Sequence, residues 1–320
     1  MNVLFLIGNG FDINLGMPTD YQSFYDFYLK QKSDSEAISK MKKYLAQERY
    51  ESWSDLEWGL GQYTAEVSSM GELEELYFDL GDQLRSYLGR LSLSFSVSQE
   101  MKAAIFRGLR EPYYFLPDGM RREITSFVGS KAKDVSIITF NYTDTLERIL
   151  VSYSSSSNLP HSLDVETSLR DIRHIHMSLK DSDFIMGVND VDQIKNKTLI
   201  NDACLRLLVK PHINQQMQNL VDDECLAMIK DADLLCLFGL SLGETDKMWW
   251  EAIGERMIHA PARLIYFLYD KKPVRRNSHL IARMDGARSL LIERFGMEKA
   301  PENLLRRIYV GYNTNVFKVG

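Results

Sequence analysis

Apolar runs that stop abruptly on small or polar residues set the pattern of this chain. Val3 to Ile7 is continuously apolar, and Gly8-Asn9-Gly10-Phe11-Asp12 then breaks it. Val135–Phe140 ends on Asn141-Tyr142-Thr143-Asp144. Leu234–Phe238 ends on Gly239-Leu240-Ser241-Leu242-Gly243-Glu244-Thr245-Asp246. Short apolar runs bounded in this way read as buried strands. Ile172–His176, Phe184–Met186, Ala262–Leu268 and Ile308–Val310 complete the predicted set. Helical sequence follows over Thr143–Val151, Asp222–Asp231 and Lys247–Ile258, with Thr245 as the cap of the last. Strands alternating with helices predict an α/β fold with a Rossmann-like, mostly parallel sheet flanked by helices.

The texture differs between the first and second strands. Thr19 and Gln22 have capping-box spacing before an aromatic helix around Phe24, Phe27 and Tyr28. Ile38, Met41 and Leu45 recur at helical spacing, as do Leu73, Leu76, Leu80, Leu84 and Leu91. The expectation is a helical insertion or lid over residues 20–122. Residues 1–19 and 123–320 then form the nucleotide-binding core. Ser52 to Trp58 is rich in aromatic and acidic groups, and Ser152 to Asn158 reads as a serine-rich loop.

Composition narrows the function classes. The 320 residues are 45% hydrophobic and 26% charged, the mix of an ordinary globular protein. A net charge of -6 argues against nucleic acid as a partner. The basic run Arg263, Lys271, Lys272, Arg275, Arg276 and Arg283 reads as a solvated face. Cys204, Cys225 and Cys236 are widely spaced and lack Cys-x-x-Cys, which argues against structural zinc and a disulfide framework. No apolar stretch is long enough for a membrane span, and the start lacks the features of a signal peptide. The expected setting is reducing and cytoplasmic, without a membrane partner.

Each strand end carries candidate chemistry. In an open parallel sheet, ligands bind beyond the carboxyl ends of the strands. Gly8, Asn9 and Gly10 can bring backbone N–H groups to a phosphate, or simply form a tight turn. Asp12 suits ribose hydroxyls or a cap better than a phosphate. Asn141 can hold a ribose hydroxyl, orient a water, or cap a helix. His176 is the candidate for proton chemistry. His174 and His176 share a face if both lie on a strand; with no third ligand evident, no metal is predicted. Gly239 to Gly243 matches Gly-x-Ser-x-Gly literally, but without a fitting acid and histidine it reads as a second ligand loop. Glu244 and Asp246 suit a helix start on charge alone.

Taken together, the motifs resemble the AbiH family of bacterial phage abortive-infection proteins. The matching pieces are Ile7 to Asp12, Trp53-Ser54-Asp55-Leu56-Glu57, Phe140 to Thr143, His174-Ile175-His176, and Phe238 to Asp246. A more distant resemblance is to sirtuin-like NAD-consuming domains. It implies Gly8 and Gly10 as the phosphate loop and Gly239 and Ser241 at the nucleotide's far side; Asp12 stands where a small serine-type residue is usual. From their places at the strand ends, Asn9, Phe11, Asp12, Tyr142 and Asp246 join them as cofactor-binding candidates. It implies His176 as base and Asn141 as the ribose- or water-binding amide. Met177 stands where a glycine is usual after the histidine, and the sirtuin zinc cysteines are missing, which argues against deacetylation. The implied activity is that of an anti-phage effector that binds NAD and hydrolyses the nicotinamide N-glycosidic bond. A non-catalytic nucleotide sensor is the alternative, and an RNA-targeting toxin ranks third. The expected partners are a nucleotide, a phage-derived trigger and a second copy of the chain in a homo-oligomer.

Overall fold

The computed structural model describes residues 1–48, 55–151, 161–164, 167–181, 184–274 and 276–318. Seven strands form one sheet: β1 (Asn2–Ile7), β2 (Lys133–Thr139), β3 (His161–Asp164), β4 (Thr167–His174), β5 (Leu234–Phe238), β6 (Arg263–Leu268) and β7 (Ile308–Tyr312). Their order is β3-β4-β2-β1-β5-β6-β7. Every pairing is parallel except that of the edge strand β3 with β4. Without β3, the six parallel strands follow the doubly wound order, which reverses between β1 and β5. A crevice opens at that reversal because the connections leave toward opposite faces. The chain is therefore α/β and Rossmann-like.

Helices fill the connections. Between β1 and β2 lie α1 (Gly10–Asn14), α2 (Tyr21–Tyr28), α3 (Glu36–Glu48), α4 (Leu56–Tyr63), α5 (Met70–Ser94), α6 (Gln99–Arg110) and α7 (Asp118–Val128). After β2 comes α8 (Thr145–Val151). Between β4 and β5 are α9 (Asp202–Leu208), α10 (Lys210–Gln216) and α11 (Val221–Asp231). After β5 follows α12 (Lys247–His259), and β6 leads to α13 (Asn277–Arg294) and α14 (Glu302–Leu305).

The period-two alternation of strand side chains divides the core. Leu4, Leu6, Leu235, Leu237, Leu264 and Tyr266 face one side and pack with α11, α12 and α13. Val3, Phe5, Ile7, Cys236, Ile265 and Phe267 face the other and pack with α6, α7 and α8. A third cluster is a helical lobe. It joins Phe24, Tyr28, Met41, Leu45, Leu60, Leu73, Leu76 and Leu80 to Phe184, Met186, Val188, Leu208 and Val209.

Several local expectations change. Phe184–Met186 is not a strand; its apolar residues pack into the helical lobe, and Val188 makes an isolated bridge to Val209. Thr19 and Gln22 do not cap α2. Asp20 does, accepting from the Ser23 N–H, while the Thr19 hydroxyl binds Asn9 Oδ1. Thr245 does not cap α12, because its hydroxyl donates to Asp55 Oδ2 at 3.1 Å. Trp53 and the serine-rich loop lie outside the described residues.

Candidate functional site

A cavity of about 610 Å³ opens at the carboxyl ends of β1, β2, β5 and β6. Small-molecule sites commonly span roughly 300–1,000 Å³. Gly8, Asn9, Gly10, Tyr142, His176, Gly239, Ser241 and Asp246 all line it, so eight of the sequence candidates meet in one place. Phe140, Trp250 and Tyr269 supply aromatic wall, and Asp20, Asp55 and Glu57 enter from the helical segment. Phe140 stacks on Trp250 with centroids 5.4 Å apart. The Trp250 indole N–H donates to the Gly243 carbonyl at 2.8 Å, fixing the loop.

Three candidates are not among the lining residues. Phe11 is fully buried and packs edge-on against Phe238 and Phe317. Asp12 is also buried, and the Thr143 hydroxyl donates to its Oδ2. Burial pushes its carboxyl up to about 6, although Thr143 and Thr145 pull it down. Asn141 is 7% exposed, and its backbone carbonyl meets His174 Nδ1 at 2.8 Å. Its side-chain oxygen is buried without a hydrogen-bond partner.

Close packing of two loops accounts for the glycines. The Gly8 N–H donates to the Phe238 carbonyl and the Gly10 N–H to the Gly239 carbonyl, both at 2.9 Å. Those two donors are occupied. A Cβ on Gly10 would lie 2.5 Å from Gly239 Cα, and Gly239 itself has φ +67°. The residues are glycine because the loops after β1 and β5 cross in backbone contact. Asn9 anchors the same turn, its amide N–H donating to the Thr19 carbonyl at 2.8 Å.

The two histidines do not act as a pair. His174 Nε2 contacts Glu147, and this partnership raises the imidazole's pKa against the opposing effect of burial. His176 lies beyond β4, and its Nε2 is 3.3 Å from Asp246 Oδ1. Its Nδ1 is buried and has no hydrogen-bond partner among the described residues. Met177 and Leu242, beside His176 and Ser241, have φ of 61° and 56°. Left-handed backbone at non-glycine residues often marks functional turns. Among the described residues no hydrogen bond joins Ser241 to His176, so the literal Gly-x-Ser-x-Gly spacing is not matched by a nucleophile–base contact.

The fold adds a buried ion cluster that sequence spacing could not reveal. Lys210 Nζ lies 2.7 Å from Glu57 Oε2 and 2.8 Å from Asp246 Oδ1. The Tyr142 hydroxyl donates to Glu57 Oε1 at 3.1 Å. Burial favours the neutral form of each ion, but opposing charges change the balance. Lys210 is held above its ordinary value by both carboxylates despite burial. Asp246, half-buried, is held well below the carboxylate range by Lys210 and His176 against the effect of burial. Glu57 is raised, with burial outweighing Lys210. Glu57, His176 and Asp246 offer ligand atoms within 4.8 Å of one another, a grouping the sequence did not suggest. The Lys210 ammonium already supplies the positive charge between the two carboxylates.

Asp55 is the second contribution of the Trp-Ser-Asp-Leu-Glu segment. Its Oδ1 accepts from the N–H groups of Glu57 and Trp58, starting α4, while Oδ2 takes the Thr245 hydroxyl. One side chain thus starts a helix and ties it to the loop after β5.

Comparison with known proteins gives a match to one family model, described as Bacteriophage abortive infection AbiH, over residues 4–268. No curated protein matches the chain. The matched span contains β1 from Leu4, every strand from β2 to β6, and every residue that lines the cavity except Tyr269. With most of its length covered, including the glycine crossing, the histidine and the ion cluster, the chain belongs to the AbiH family of bacteriophage abortive infection proteins.

Proposed function

We propose that this protein binds NAD or a related nucleotide in the switch-point cavity and hydrolyses the N-glycosidic bond to nicotinamide. Family membership supports the wider role in phage abortive infection. The observation that carries the chemistry is His176 on the cavity wall, with Asp246 against Nε2 and, among the described residues, no hydrogen-bond partner at Nδ1.

Charge suggests the ligand's orientation. The wall around Glu57, Asp55 and Asp246 is acidic, and suits the cationic nicotinamide riboside end. The pyrophosphate is better placed toward Ser241 and the loop after β5, since the Gly8 and Gly10 donors are occupied. In the proposed step a water oxygen attacks ribose C1′ as the C1′–N bond breaks. The bonding pair passes to the pyridinium nitrogen, which leaves as neutral nicotinamide. His176 takes the water proton, giving ADP-ribose. The ionised Asp246 carboxylate opposes the positive charge that develops at C1′. Asn141 stands behind the cavity wall with its amide oxygen buried, so it takes no part in this step. The helical lobe that includes α2, α4 and α5 acts as a lid.

The test is mass-spectrometric detection of nicotinamide and ADP-ribose after incubating the protein with NAD. Wild type should release both, and His176→Ala should be slower by about 10²–10⁴-fold. Equal release by a folded His176→Ala protein would contradict the assignment. One observation favours a second reading, a non-catalytic sensor: Asp246 is already engaged by Lys210. That reading predicts tight nucleotide binding without nicotinamide release.

A further inference from the structure

The three-residue turn Glu244–Asp246 carries the carboxylate that faces His176, yet it has no side-chain cap of its own. Contacts from distant segments hold it instead. The Asp55 carboxylate accepts from Thr245, and Gln193 Nε2 donates to the Glu244 carbonyl at 2.9 Å. Lys210, at the first position of α10, reaches Asp246 Oδ1. All three come from segments that build the helical lobe or adjoin it, and each lands on a different residue of the turn.

Lys210 differs from the other two because it is charged and buried at 6% exposure. Its backbone N–H donates to the Val188 carbonyl, which seats it on the lobe. Its ammonium is shared between Glu57 of α4 and Asp246 of the sheet loop. His176, Tyr142, Tyr21, Asp55 and Asp222 are the other titratable groups about this cluster. Two carboxylates this close and this buried need a cation between them.

We propose that Lys210 is the positioning residue that holds Asp246 against His176, and that its second contact, to Glu57, makes this alignment depend on the docked helical lobe. The inference rests on the hydrolase reading for its kinetic consequence but not for its geometry. A signal that moves the lobe would act on His176 through this ammonium.

Two variants separate positioning from plain structural support. Lys210→Met leaves two buried carboxylates without their cation, and its melting temperature should fall. Adding Glu57→Gln removes one of those charges, and the double variant should recover most of the lost melting temperature, because neutral replacement of a whole buried pair is often tolerated. If Lys210 positions Asp246, kcat for nicotinamide release by the double variant stays about 100-fold below that of Glu57→Gln alone. The His176 ring-nitrogen NMR signals, assigned by difference from His176→Ala, also remain displaced from those of Glu57→Gln alone. Return of both turnover and the ring signals together with melting temperature would overturn the proposal, leaving Lys210 a stability role alone. If wild type releases no nicotinamide, the hydrolase reading fails and the ring signals decide. Signals of the double variant displaced from those of Glu57→Gln alone uphold the positioning role, and signals matching Glu57→Gln alone overturn it.

Discussion

Asp12 shows how one residue type can mislead at a strand end. Its place after a glycine turn suggests a ligand contact, but its side chain points into buried protein beside Thr143. Its carboxyl is raised from 3.8 to about 6, chiefly by burial. A raised acid binds its proton more tightly in the folded state. Its stabilising contribution is present below about pH 4 and is lost as pH rises through 6. Asp12→Asn should keep the neutral form at every pH. The stability difference between wild type and variant should therefore move in the variant's favour by about 2–3 kcal/mol between pH 4 and pH 7. Urea denaturation at several pH values measures it, and a constant difference would contradict the assignment. Met177 makes the opposite point. The distant resemblance to sirtuin-like domains expects glycine there, and the backbone has φ 61°, so this chain places a side chain where glycine would be unstrained.

At the scale of elements, the loop crossing at Gly8, Gly10 and Gly239 fixes the cavity's back wall. Gly239→Ala adds a methyl 2.8 Å from Gly10 backbone atoms at a positive φ. It should destabilise the fold by roughly 1–3 kcal/mol and weaken nucleotide binding as the two loops separate. Gly89→Ala is the contrast, because a Cβ in that part of α5 meets nothing within 4 Å. It should stabilise by up to about 1 kcal/mol and leave binding alone. Thermal unfolding and nucleotide titration of both variants check the pair, and equal effects would contradict the crossing's importance. The central strands were legible because they are buried on both faces and read as unbroken apolar runs. β4 was seen only from Ile172 because its first half, Thr167 to Asp171, is largely polar, and β3 is a short polar edge strand. Phe184–Met186 misled because burial in a helical lobe and burial in a sheet leave the same short apolar signature.

At the scale of the whole molecule, the sheet brings strand ends together and the helical lobe completes the wall they form. The glycine loop, Tyr142, His176 and the loop after β5 could be read locally, each being a break after an apolar run. Lys210 could not. It stands alone in Val209-Lys210-Pro211, and its partner Glu57 is 153 residues away in sequence. Only the docking of α4 and α10 gives either charge its meaning. Asp246 was visible as a helix-start acid, but its position against His176 depends on β4 and β5 ending at matching depth on opposite sides of β2 and β1. Among the described residues no helix is long and apolar enough to cross a membrane.

The most direct test of the central claim is a crystal structure of the His176→Ala protein soaked with NAD. The nucleotide should lie in the cavity between the carboxyl ends of β1 and β5, with the nicotinamide riboside toward Asp246 and the pyrophosphate toward Ser241. An empty cavity at saturating NAD, or a nucleotide bound elsewhere on the molecule, would contradict it.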